Sequence, residues 1–187
     1  MKGTIPLDGK PEFAVADRTH VYVNLEDKSV IARIDSRKLA VDARWSLAPC
    51  EEPTGLAIDE KHHRLFAACA NKIMAVVNTD DGRVVANVPA GAGADGAEFD
   101  SSSQIAFSPN GADGTLTIIH EDSPNKFRVV QTLATQRGAR TMTLDPKTHN
   151  VFLITAEFGP PPPPTAERPR PRPSIVPGSF TLLIVGK

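Results

Sequence analysis

Apolar residues in this chain come in short runs, broken at regular intervals by turns rich in Asp, Asn, Gly, Pro and Ser. Runs of that length bounded by such turns predict β-strands. Four of them, at residues 13–17, 55–59, 96–100 and 141–145, end in aspartate, and the four aspartates stand 42, 41 and 45 residues apart. After each aspartate a short polar turn leads into a second apolar run, at residues 21–23, 65–67, 105–107 and 151–153. The two runs predict a hairpin. A third run follows in every unit, at 30–34, 73–77, 116–119 and 180–185, and a fourth in three units, at 39–47, 84–88 and 127–133.

Four antiparallel strands every 40 to 45 residues is the spacing of a β-propeller blade. A β-sandwich also has many short strands, but it gives no reason for the same strand, aspartate, turn and strand to recur. The predicted fold is therefore all-β, a propeller of about four four-stranded blades at about 11–52, 53–95, 96–139 and 140–187, in one domain or part-domain spanning 1–187. Within residues 1–10, Gly3 to Leu7 read as the end of a further fourth strand, like Ala86 to Pro89.

Val21, Tyr22, Val23 and Asn24, read with Lys10 to Phe13, with Val30 to Asp35 and with the recurring aspartate turn, resemble the YVTN-repeat, YncE-like β-propeller family. The likeness runs along essentially the whole chain. It departs from the family's Tyr-Val-Thr-Asn by one residue in the first unit and by more in the others, which carry Phe66, Phe107 and Phe152 in place of the tyrosine. The resemblance implies a seven-bladed, exported protein considerably longer than four blades. Two readings stay open. The chain is the C-terminal part of a larger propeller with two open blade faces, prone to self-association, or the leading strand closes the last blade into a four-bladed ring.

Between the second and third strands of the last unit lies a proline-rich stretch, 159–178, holding Pro160 to Pro164 and the alternating Arg168, Arg170 and Arg172. Proline donates no hydrogen bond and fixes φ, so this predicts a polyproline or coil loop. It is either a stiff surface insertion or a docking strip with a positive edge.

Composition narrows the function. Lys plus Arg is 21 and Asp plus Glu is 22, a net charge of -1, which gives no long-range attraction to nucleic acid. No apolar run approaches the roughly 20 residues of a membrane helix. The first ten residues lack an export signal, so the chain as written reads as cytoplasmic, whereas the family implies a periplasmic or secreted protein. No P-loop, nucleophile elbow or dinucleotide fingerprint appears, and no cofactor is expected.

Propeller topology collects the loops before first strands and after second strands on one face. The ligand-binding candidates there are Glu12, Asn24, Glu52, Thr54, Asn71, Glu98, Asn110, Arg140 and Glu157, with Glu12, Thr54, Glu98 and Arg140 at the channel mouth. Carboxylates mixed with arginine suit a polar small molecule or peptide; the plainer reading is solvated loop charge. The resulting expectation is a non-enzymatic binding or scaffold module. Its rival is a lactonase-like propeller hydrolase or lyase using a channel carboxylate and Arg140, and a third reading is a non-functional remnant. His20, His63 and His149 recur before second strands in separate units, as turn residues and not as a zinc set, and His120, Glu121 and Asp122 read as a solvent-facing turn. No metal site is expected. Cys50 and Cys69 emerge at the same end of one hairpin, which allows either a disulfide or two half-buried thiols.

Overall fold

The computed structural model describes every residue except Arg170, Arg172 and Lys187. Among the described residues the chain is all-β. Its strands are β1 (Pro11–Ala16), β2 (His20–Leu25), β3 (Val30–Asp35), β4 (Ala40–Ser46), β5 (Pro53–Asp59), β6 (Arg64–Cys69), β7 (Ile73–Asn78), β8 (Val84–Pro89), β9 (Glu98–Asp100), β10 (Ile105–Asn110), β11 (Thr115–Ser123), β12 (Lys126–Ala134), β13 (Thr141–Asp145), β14 (Asn150–Thr155) and β15 (Thr181–Val185). They form four antiparallel meanders in chain order: β1 to β4, β5 to β8, β9 to β12, and β13 to β15. Among the described residues no helix is long and apolar enough to cross a membrane. Two charges of the expected positive strip, Arg170 and Arg172, lie outside the described residues.

The repeated aspartate builds each first turn. Asp17, Asp59, Asp100 and Asp145 each accept, through Oδ1, the backbone N–H two residues on, from Thr19, Lys61, Ser102 and Lys147. This is an Asx turn, in which a carboxylate stands in for a backbone acceptor. The residue that closes the turn then needs left-handed backbone, and His63, Gln104 and His149 supply it with φ of 59°, 55° and 60°. His63 and His149 are thus turn residues, at a position glutamine fills equally well, whereas His20 is already the first residue of β2.

Adjacent sheets pack face to face, with their first strands in a row: β5 lies beside both β1 and β9, and β13 beside β9. An aromatic at the third position of each second strand organises the contacts. Tyr22 packs among Leu56, Leu65 and Val77 of the second sheet, and Phe66 sits against Ala97, Ala106 and Ile119 of the third. Phe107 meets Val151 and Leu153 of the fourth. All three are buried, each worth roughly 1.5–3 kcal/mol of transfer free energy. At the row of first strands backbones touch: a Cβ on Gly55 would stand 2.1 Å from the carbonyl carbon of Gly96, so only glycine permits this approach.

The last sheet has the three strands that the pattern predicts, but residues 1–10 form no strand, so no leading strand completes it as a fourth. Pro6 has no N–H to donate. Ile5 and Leu7 instead lay their side chains on Val23, Leu25, Ala32 and Ile34, on the outer face of the first sheet. Lys10 N–H donates to Asp27 Oδ1 and Arg44 Nε to Asp8 Oδ1 at 3.1 Å, which holds the segment there. Among the described residues the corresponding outer face of the last sheet has no such cover: Ile154, Phe180, Leu182 and Ile184 are 55% exposed or more.

Candidate functional site

The loops before first strands and after second strands lie together, as a meander requires, but most candidate side chains there are engaged by the framework. Asn24 is fully buried and its Nδ2 donates to the carbonyls of Thr54 and Gly55, at 3.0 and 3.1 Å, joining the first sheet to the second. Thr54 Oγ1 donates to the Ala94 carbonyl at 2.9 Å, reaching toward the third. Asn110, also fully buried, donates to Thr115 Oγ1 and Thr117 Oγ1 and accepts from Ser108. Asn71 accepts from the Glu51 N–H and donates to the Pro49 carbonyl, closing the loop before β5.

The charged candidates are spread among separate partners. Lys10 Nζ bridges Glu12, at 2.7 Å, and Glu26. Arg140 Nε lies 3.3 Å from Asp95 Oδ2. Glu98 is half-buried; burial raises its carboxyl above the ordinary range, and the Leu144 N–H works against that rise. Glu52 and Glu157 are exposed, engaged through their backbone N–H groups by Ser29 Oγ and Ser179 Oγ. Cys50 and Cys69 are joined in a disulfide with a Cα–Cα distance of 5.6 Å, buried against the interface of the first two sheets.

A different set of groups converges on the opposite edge, between the second and third sheets. His62 Nδ1 stands 2.7 Å from Asp59 Oδ2 and 3.1 Å from Glu121 Oε1. The Asp59 and Glu121 side chains are 3% and 0% exposed, and His62 opens to solvent at 19%. The atoms are close but misaligned, so Asp59 Oδ2, His62 Nδ1 and both Glu121 oxygens have no hydrogen-bond partner. Burial, together with repulsion from Asp59, pushes the Glu121 carboxyl up to about 7. Arg64, the neighbouring cation, directs its guanidinium elsewhere: to the carbonyls of His62, His63 and Pro124 and to Asn125 Oδ1.

The expectation that His120, Glu121 and Asp122 form a solvent-facing turn is wrong for the middle residue. β11 does not stop near Ile119 but runs to Ser123, and strand alternation puts Glu121 on the same buried face as Thr117 and Ile119. His120 and Asp122 point the other way, pair with each other at 2.8 Å, and Asp122 also accepts from Arg128 Nε. The period-2 pattern through 117, 119 and 121 was the available signal. The convergence itself had none, because Asp59 and Glu121 come from different repeats.

No family model matches the chain, and no curated protein does. Among solved structures, 663 chains match, so the fold is widespread and by itself assigns no activity. One is a chain from the structure of Kuenenia stuttgartiensis hydrazine synthase, with a TM-score of 0.73 at 14% identity, matched over 86% of this chain and 46% of that one. At that identity the likeness is one of fold. The chain spans less than half the length of that neighbour.

Proposed function

We propose that the four sheets are blades of a β-propeller of the YVTN-repeat kind, and that the chain is a scaffold module whose working surface is the open face of its last sheet. The observation that carries this is the series Tyr22, Phe66, Phe107 and Phe152. The first three occupy the third position of their second strands and are buried by the next sheet, whereas Phe152 in the same position is only partly covered. Around it Ile154, Leu182 and Ile184 extend an apolar face that in every earlier sheet is covered by a neighbour. Its occupant is accordingly a sheet of the same repeat type. With this chain alone in solution, that sheet belongs to a second copy.

The pairing is face to face about a two-fold axis. A head-to-tail stack would need the outer face of the first sheet, which Ile5 and Leu7 already cover. The hydrolase reading asks for a carboxylate and an arginine directed at one point; Glu98 and Arg140 are engaged by different partners. Light scattering over a range of concentrations tests the scaffold reading. The 20.0 kDa chain is expected to move toward about twice that mass as concentration rises, and Ile154→Asp with Ile184→Asp to abolish the shift. A wild-type monomer at every concentration overturns it.

A further inference from the structure

We infer that Asp59, His62 and Glu121 form a binding site for a divalent cation of the zinc type, set between the second and third sheets. The donor set suits such an ion: one imidazole nitrogen and two carboxylates, all within 4.8 Å of one another. Zinc takes nitrogen and oxygen donors at roughly 2.0–2.2 Å, which spaces tetrahedral donors about 3.4 Å apart. The 2.7 and 3.1 Å separations fall short of that by less than the reach of a side-chain rotation.

Three features separate this cluster from ordinary buried polarity. Its four facing atoms lie close together with no hydrogen bonds, although buried polar groups are nearly always paired. Two carboxylates are buried where Arg64 offers one positive charge, already directed at carbonyls. A second cation would balance what is left, since a buried charge without a partner is strongly unfavourable. Finally, the repeat shows what the position looks like without that demand. In the third and fourth units the residue three beyond the aspartate is Ser103 or Thr148, whose hydroxyl donates to the aspartate Oδ2 at 2.7 Å. In the second unit it is His62, and a buried glutamate faces it. Three protein donors and the solvent opening at His62 leave room for water as the fourth ligand.

The full chain, stripped with EDTA and desalted, would be titrated with zinc chloride by calorimetry near neutral pH. One equivalent is expected to bind, with affinity reduced at least tenfold in Glu121→Gln and in His62→Ala. His63→Ala and His149→Ala, which remove the His63–Asp80 and His149–Asp100 pairs, should leave binding unchanged. Zinc-edge absorption of the loaded wild type should report nitrogen and oxygen ligands and no sulfur, a readout that does not depend on the variants folding. Failure of the wild type to take up one equivalent would overturn the site, leaving a shared proton as the balancing charge. Unchanged affinity in a folded Glu121→Gln, or sulfur ligation, would overturn it equally.

Discussion

His62 Nδ1 lies 2.7 Å from Asp59 Oδ2, in the place where Ser103 and Thr148 set a hydroxyl 2.7 Å from Asp100 and Asp145. In the first unit Tyr22 fills the same need, its hydroxyl donating to Asp17 Oδ2 at 2.8 Å. One aspartate per repeat therefore holds a turn with Oδ1, and in the first, third and fourth units a hydroxyl donates to its Oδ2, whereas Asp59 Oδ2 accepts no hydrogen bond. Asp100 Oδ2 also meets His149 Nδ1 of the fourth unit at 2.9 Å, but only in the second unit does an imidazole stand in the hydroxyl's place. The turn function and the cluster can be probed separately.

The turn function should appear as acid sensitivity at Asp100. Burial opposes its ionisation, but the Ser103 and Ser102 hydroxyls, the Ser102 N–H and His149 outweigh burial and hold the carboxyl at about 2. A carboxylate depressed in the folded state contributes stability that is complete above its unfolded value near 4 and is lost as pH falls toward 2. Asp100→Asn should lose about 1–3 kcal/mol in urea denaturation at pH 7. The gap from wild type should close between pH 4 and pH 2; a gap that does not depend on pH would contradict the assignment.

Asn24→Ala removes two donors that tie the first sheet to the carbonyls of Thr54 and Gly55. Leaving buried carbonyls unpaired should cost about 1–3 kcal/mol, read as a lower denaturation midpoint. Concentration-dependent mass should be unaltered, because Asn24 lies far along the row from the open face. A loss of self-association with no loss of stability would reverse that reading of Asn24.

Joining Cys50 to Cys69 closes a loop of sequence separation 19, in which a cross-link restricts the unfolded chain. The double serine variant should be less stable by about 3 kcal/mol under oxidising conditions. Under reducing conditions wild type and variant should have similar midpoints.

Gly82→Ala tests how the second sheet meets the first. Gly82 has φ of 74°, and a Cβ there would fall 2.1 Å from Trp45 Cδ1. Trp45 also stacks on Tyr22 at 5.8 Å and lies under the Arg33 guanidinium. The variant should be destabilised by more than about 1 kcal/mol and should shift the emission of Trp45, the sole tryptophan. Unchanged emission would mean that the turn and ring separate at no cost.

The strands were legible because their signals are local. Alternation within a few residues, an aspartate at each first-strand end and Asp, Asn and Gly turns place all fifteen strands within a few residues of where they occur. Two boundaries missed for one reason: tertiary contact outweighed local pattern. Residues 1–10 look like a strand, yet Ile5 and Leu7 gain more by covering the first sheet, and β11 continues past Ile119 because its pairing with β12 extends to Ser123.

The candidate site divides the same way. The sequence by itself determined which residues stand on the loops of each face, since strand direction alternates along the chain. It could not determine which of them are already satisfied. Asn24 and Asn110 read as free amides until the neighbouring carbonyls and hydroxyls are in place around them. Nor could it join Asp59 and His62 of one repeat to Glu121 of the next, a contact between sheets made by packing Phe66 against Ile119. Local hydrogen bonding and strand period are written in neighbouring residues, whereas convergence across an interface exists only once the sheets have buried their faces against each other.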